Sequence, residues 1–147
     1  MEKLRHKTSV HMLFGLMFPC SNGIVPYSGQ KCFEDSREFP DISWVKQQIL
    51  GNKIDFLGEL MNEYYCISAS DPRMFPYYEL TLKYNLPVGI HTGGVGPGNL
   101  SPNNDKKMGN SILMKDILIK YPGLKIWIMH AGFPHLEETV FILKYYP

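Results

Sequence analysis

Two short apolar runs that each end in a histidine constrain the fold more than any other feature of this chain. Residues 86–93 have the sequence LPVGIHTG, and residues 124–132 have the sequence LKIWIMHAG. A near-continuous apolar run is typical of a strand buried in a parallel sheet, and binding sites of α/β folds collect at the carboxyl ends of such strands. His91 and His130 are therefore predicted to meet in one site.

Four apolar runs are predicted to be strands. They are residues 10–18, 53–60, 86–91 and 124–130, and a segment with helical spacing separates each from the next. Strict alternation of strands and helices predicts an α/β fold with a parallel sheet of about four βα units. In such a sheet consecutive strands lie side by side, and their carboxyl ends share one face.

Capping residues and prolines mark where the predicted helices begin. These residues are Asp41 or Ser43, Asp71 before Pro72, Ser111, and Pro134. The third helix is predicted to span residues 111–120. The last helix is predicted to bury a stripe made of Leu136, Val140 and Leu143, which recur at helical spacing.

A third candidate site residue is Glu59, which ends its run as His91 and His130 end theirs. A lone histidine at a strand end is more often a hydrogen-bonded structural residue, but two at equivalent positions favour a shared site. Neutral imidazole binds zinc and related divalent ions, and a catalytic site needs about three protein ligands with an open position. Glu59 could be the third ligand, accept a proton from an activated water, or simply cap the sheet.

Composition limits the partners and the compartment. The chain has 147 residues, the size of one domain, and its 44% hydrophobic content is ample for a core. A net charge of +1 offers no electrostatic footprint for nucleic acid or an anionic membrane. The apolar run at residues 10–18 is far shorter than the ~20 residues that span a bilayer. Three cysteines at spacings typical of neither zinc pairs nor disulfides favour a reducing cytoplasm.

The segment from Thr92 to Asn110 is predicted to be a mobile loop that covers the site. It is rich in glycine, proline and asparagine, and it leaves the strand directly after His91. Long segments of this kind are usually binding loops or lids. Lys106 and Lys107 could meet an anionic substrate there, or form a solvated pair.

Residues 86–93 and 121–132 together resemble the metal-dependent amidohydrolases of the TIM-barrel type, amidohydrolase family 2. The resemblance extends over most of the chain from Met12 onward. It implies that His91 and His130, at the ends of the fifth and sixth barrel strands, bind a divalent metal ion, with zinc expected. It also implies that Glu59 ends the fourth strand as a ligand or catalytic carboxylate, and that the substrate is a small molecule.

The chain departs from the family pattern at both ends. A His-x-His after the first strand and an aspartate after the eighth are absent, and a full barrel takes ~250 residues. Residues 1–147 are therefore expected to form one domain, an incomplete barrel of roughly the third to sixth units. Two functions follow: a metal-dependent hydrolase or related decarboxylase that activates water or polarises a carbonyl, or an inactive barrel fragment or interaction module.

The incomplete-barrel expectation predicts how the isolated chain behaves. Four parallel strands leave two edges with unpaired N–H and C=O groups, and the apolar runs at residues 10–18 and 124–130 would lie there. We expect marginal stability or self-association into homo-oligomers, measured by size-exclusion chromatography and thermal unfolding. A monodisperse monomer with a sharp transition at high temperature would contradict this expectation.

Overall fold

Four parallel strands form one sheet in the computed structural model, which describes residues 9–19, 38–94 and 105–147. The strands are β1 (Gly15–Leu16), β2 (Phe56–Leu60), β3 (Val88–Ile90) and β4 (Ile126–Ile128). Their spatial order is β1-β2-β3-β4, and each neighbouring pair runs parallel. This arrangement confirms the predicted α/β fold with a parallel sheet of four units.

Helices alternate with these strands along the chain. They are α1 (Ile42–Leu50), α2 (Phe75–Tyr84), α3 (Lys115–Lys120) and α4 (Leu136–Tyr145). Short 3-10 turns occupy Asn62–Tyr65, Pro72–Met74, Lys106–Gly109, Ser111–Met114 and Met129–Gly132. None of the helices in the described ranges is both long and apolar enough to cross a membrane.

Side-chain caps fix where the first two helical segments begin. Asp41, one of the two predicted caps of α1, accepts hydrogen bonds from the backbone N–H groups of Ser43 and Trp44. Asp71 accepts from the N–H of Arg73 and so begins the 3-10 turn that leads into α2. Each cap satisfies backbone donors that a helix start otherwise leaves without partners.

The hydrophobic core lies between one face of the sheet and helices α1 to α3. Leu57 of β2 and Val88 of β3 are partners in the sheet, and both are fully buried. Val45 of α1, Tyr78 of α2 and Ile117 of α3 belong to the same cluster of buried residues. Side chains of a regular strand alternate between the two faces of a sheet. In β2 an irregularity between Leu57 and Leu60 breaks this alternation, and both leucines are buried in the core.

The first strand is shorter than the sequence predicted. Only Gly15–Leu16 of the predicted run 10–18 forms strand, and Val10 and Leu13 are 67% and 51% exposed. The Asp55 carboxylate accepts the Phe14 N–H at 2.7 Å, while the Asp55 N–H donates to the Phe14 carbonyl oxygen at 2.8 Å. Because a side chain takes the place of a backbone acceptor, the regular ladder begins only after this point.

The predicted buried stripe of the last helix is wrong. Leu136, Val140 and Leu143 are 50%, 63% and 61% exposed, whereas Thr139 and Ile142 are buried. The Thr139 hydroxyl hydrogen-bonds the buried Ser111 hydroxyl at 2.5 Å, and this polar pair lies on a face of α4 about a quarter turn from the predicted stripe. The helix is apolar on two sides, so hydrophobic spacing alone selected the wrong one. It also begins two residues after Pro134, at Leu136.

Two isoleucines of α3 provide a matched test of the core. Ile117 is fully buried, whereas Ile119 is 59% exposed on the same helix. We expect Ile117→Ala to lower the free energy of unfolding by about 2–5 kcal/mol, because it leaves a cavity. Ile119→Ala should change it by no more than about 0.5 kcal/mol. Urea unfolding followed by circular dichroism measures both, and equal losses would contradict the described packing.

Candidate functional site

The structure brings the three sequence-predicted site residues together at the carboxyl ends of the strands. Glu59 is the second-to-last residue of β2, His91 directly follows β3, and His130 lies in the turn after β4. One donor atom from each of these side chains lies within 4.8 Å of the others. The sheet explains this, since Leu60 and Ile90 are partners in the ladder and face the core. Glu59 lies at an irregularity of β2 between Leu57 and Leu60, and His91 follows Ile90 directly, so the two side chains lie beside this pair and approach to 3.6 Å.

The distances within this group suit shared ligation of one ion. Oε1 of Glu59 is 2.9 Å from Nε2 of His130 and 3.6 Å from Nε2 of His91. Two donor atoms bound to one tetrahedral zinc at ~2.0–2.1 Å are about 3.3 Å apart, between these two values. The imidazole centroids lie 4.6 Å apart. The three side chains are therefore a candidate group for holding a divalent cation.

His91 is the buried member of the group, and its two ring nitrogens face different carboxylates. Its side chain is 7% exposed, compared with 55% for His130 and 26% for Glu59. Nε2 faces Glu59, while Nδ1 lies 2.7 Å from Oε1 of Glu63, which is fully buried. The Tyr64 ring meets the imidazole edge-on, with centroids 5.2 Å apart. His91 is thus enclosed on the side away from the candidate ion.

Glu63 is a site residue that the sequence reasoning missed. It lies in the 3-10 turn Asn62–Tyr65, immediately after β2, where a charged side chain would ordinarily be solvated. The only feature of the sequence that could have indicated it is its position, four residues after Glu59 and just beyond the strand that carries Glu59. Nothing in the spacing shows that this turn folds back beneath His91.

The backbone around His130 is left-handed. The φ angles of His130 and Ala131 are 57° and 52°, a region that L-residues enter at a cost of roughly 1–2 kcal/mol each. The Thr92 hydroxyl donates a hydrogen bond to the Met129 carbonyl oxygen, which ties this turn to the segment after His91. The sequence predicted a strand through His130, but β4 ends at Ile128 and the turn aims the imidazole toward Glu59.

A polar cluster joins Asn110 to the start of α4. The Asn110 side-chain amide donates to Oε1 of Glu138 at 3.3 Å and lies 3.5 Å from Nδ1 of His135. Backbone and Asn110 hydrogen bonds hold the pKa of the Glu138 carboxyl below its ordinary value. Lys106 and Lys107 are exposed in a 3-10 turn. The predicted covering loop falls mainly on residues 95–104, outside the described residues, so its mobility stays a prediction.

Comparison with known proteins points to one family. A model of the amidohydrolase family matches residues 63–147, more than half of the 147-residue chain. The matched region contains His91 and His130, and it begins four residues after Glu59. Searches of curated proteins and of solved structures each found no match.

Adjacent glycines test the contact between the two histidine-bearing segments. Gly93 has a φ of 91°, and a Cβ there would overlap the Phe133 carbonyl oxygen, whereas a Cβ on Gly94 meets no described atom within 4 Å. We expect Gly93→Ala to lower the free energy of unfolding by at least about 1–3 kcal/mol, because the clash is with backbone. Gly94→Ala should change it by less than about 0.5 kcal/mol. Urea unfolding measures both, and equal effects would contradict the close approach.

Proposed function

The chain belongs to the amidohydrolase family, and on that premise we propose that it is a metal-dependent hydrolase whose divalent ion is held by His91, His130 and Glu59. The observation that carries the proposal is the position of the Glu59 carboxylate between the two Nε2 atoms, at 2.9 and 3.6 Å. Amidohydrolases generally use divalent metals, and these donors are of the appropriate kind.

Zinc is the ion that we propose. Two imidazole nitrogens and one carboxylate oxygen are a donor set that zinc takes in catalytic sites, with a further position left open. When bound, such an ion supplies Lewis acidity for activating water or polarising a carbonyl oxygen.

His91, His130 and Glu59 would have different roles at the site. His91 and His130 would bind through Nε2, and the Glu59 carboxylate would offset part of the cation's charge. The enclosure of His91 excludes water on one side, while the 55% exposed His130 leaves an approach for a small molecule. The role of Glu59 as a proton acceptor stays a prediction, as do the small-molecule substrate and the cytoplasmic location.

Metal binding by purified variants tests this proposal. We expect the chain, freed of metal and dialysed against zinc, to retain about one ion per chain by elemental analysis. His130→Ala and Glu59→Gln should each abolish retention while leaving the fold largely intact, because these partly exposed side chains contribute little packing. His91→Ala should also abolish retention, but it should lower the stability as well, because it removes the partner of the buried Glu63 carboxylate. His11→Ala is the matched control, since it deletes an exposed imidazole that precedes β1, and it should retain zinc fully.

Two results would contradict the proposal. The first is wild-type protein that retains no zinc above a blank, and no manganese or iron when it is dialysed against those ions instead, which would favour the inactive-fragment alternative. The second is equal loss of zinc in His11→Ala and in the three site variants, which would show nonspecific binding.

A further inference from the structure

We propose that Glu63 is a positioning residue, which orients the His91 imidazole so that Nε2 is the nitrogen available to the metal. This inference rests on the proposed function, because it deepens the account of the same site. Glu63 would act through His91 and would not touch the ion.

The His91 ring bridges two carboxylates. Its Nδ1 lies 2.7 Å from Oε1 of Glu63, and its Nε2 lies 3.6 Å from Oε1 of Glu59. The two nitrogens are on opposite sides of the imidazole, so one faces the enclosed Glu63 and the other faces the candidate ion. A metal-binding histidine commonly gives its second N–H to a carboxylate in this way.

Burial makes the contact between Glu63 and His91 energetically significant. Glu63 is fully buried, and a carboxylate away from water is costly unless it is paired. Within the described ranges, both Glu63 oxygens and His91 Nδ1 lack a hydrogen-bond partner of regular geometry. The angles at the 2.7 Å contact depart from those of a hydrogen bond. The contact nevertheless joins two buried polar groups, each of which is the nearest polar partner of the other among the described contacts.

The surrounding backbone is shaped to hold this carboxylate. A Cβ on Gly109 would overlap Oε2 of Glu63, so the absence of a side chain there leaves room for it. The Gly93 N–H donates to the Gly109 carbonyl oxygen at 2.9 Å, and the Asp105 N–H donates to the Glu63 carbonyl oxygen at 3.1 Å. The last part of the predicted covering loop, residues 105–109, is thus fixed against the turn that bears Glu63.

The consequence for His91 is a defined tautomer. A neutral imidazole carries one N–H, and an ionised carboxylate can only accept. With Glu63 accepting from Nδ1, the proton stays on Nδ1 and the lone pair lies on Nε2, facing Glu59 and His130. Loss of such a supporting carboxylate typically weakens metal affinity about 10–100-fold.

The first test is nitrogen NMR on the metal-free protein. At about pH 8.5, two units above the ordinary histidine pKa, long-range ¹H–¹⁵N spectra distinguish the two tautomers. The His91 signals are assigned by their loss in His91→Gln. We expect protonated Nδ1 and unprotonated Nε2 in the wild type. The opposite tautomer would overturn the proposal without any Glu63 variant having to fold.

The second test measures zinc affinity by competition with a chelating dye. We expect Glu63→Met, which fills the volume without an acceptor, to weaken binding about 10–100-fold and to release the tautomer preference. Glu63→Gln keeps an amide oxygen and should fall between Met and wild type. Glu79→Gln is the control, since this exposed carboxylate pairs with the Tyr121 hydroxyl and should leave affinity within twofold.

The outcomes separate this inference from the proposed function. Wild-type zinc binding with Glu63→Met within twofold of it would overturn the role of Glu63 and leave the metal site standing. Absence of zinc binding in the wild type would refute the proposed function, and the tautomer alone would then decide whether Glu63 orients His91.

Discussion

The parallel register of β2, β3 and β4 is the constraint on which the candidate site depends. Leu60 pairs with Ile90, and Ile90 pairs with Ile128, so three strand ends lie in one row. Their side chains pack against the core, and the irregularity of β2 between Leu57 and Leu60 places Glu59 directly before this row. Burial of this apolar row thereby brings Glu59 and His91 together. The position of the polar site residues thus depends on the packing of their apolar neighbours.

The site combines an enclosed half with an open half. His91 is held by Glu63 and Tyr64 within the protein, whereas His130 lies on a left-handed turn and is half exposed. Local backbone strain is characteristic of positions where a side chain must be aimed, and the surrounding contacts have to support it. The Thr92 hydroxyl and the close approach of Gly93 to Phe133 are such contacts.

Sequence reasoning located the sheet and the three clustered residues because strict alternation of strands and helices predicts a parallel sheet, whose strands all end at one face. It also predicted Asp41 as a cap of α1, because capping depends on residues that are close together in the sequence. It failed at α4, where apolar residues occupy two faces and the buried Ser111–Thr139 pair, distant in sequence, selects between them. It missed Glu63 because burial of a charge depends on tertiary contacts with His91 and Gly109.

Anomalous diffraction at the zinc absorption edge, from crystals soaked in zinc, tests the central claim most directly. The account predicts one strong peak at ~2.0–2.1 Å from Nε2 of His91, Nε2 of His130 and a carboxylate oxygen of Glu59. A peak bound through Nδ1 of His91, or zinc at other residues with these three side chains empty, would contradict it.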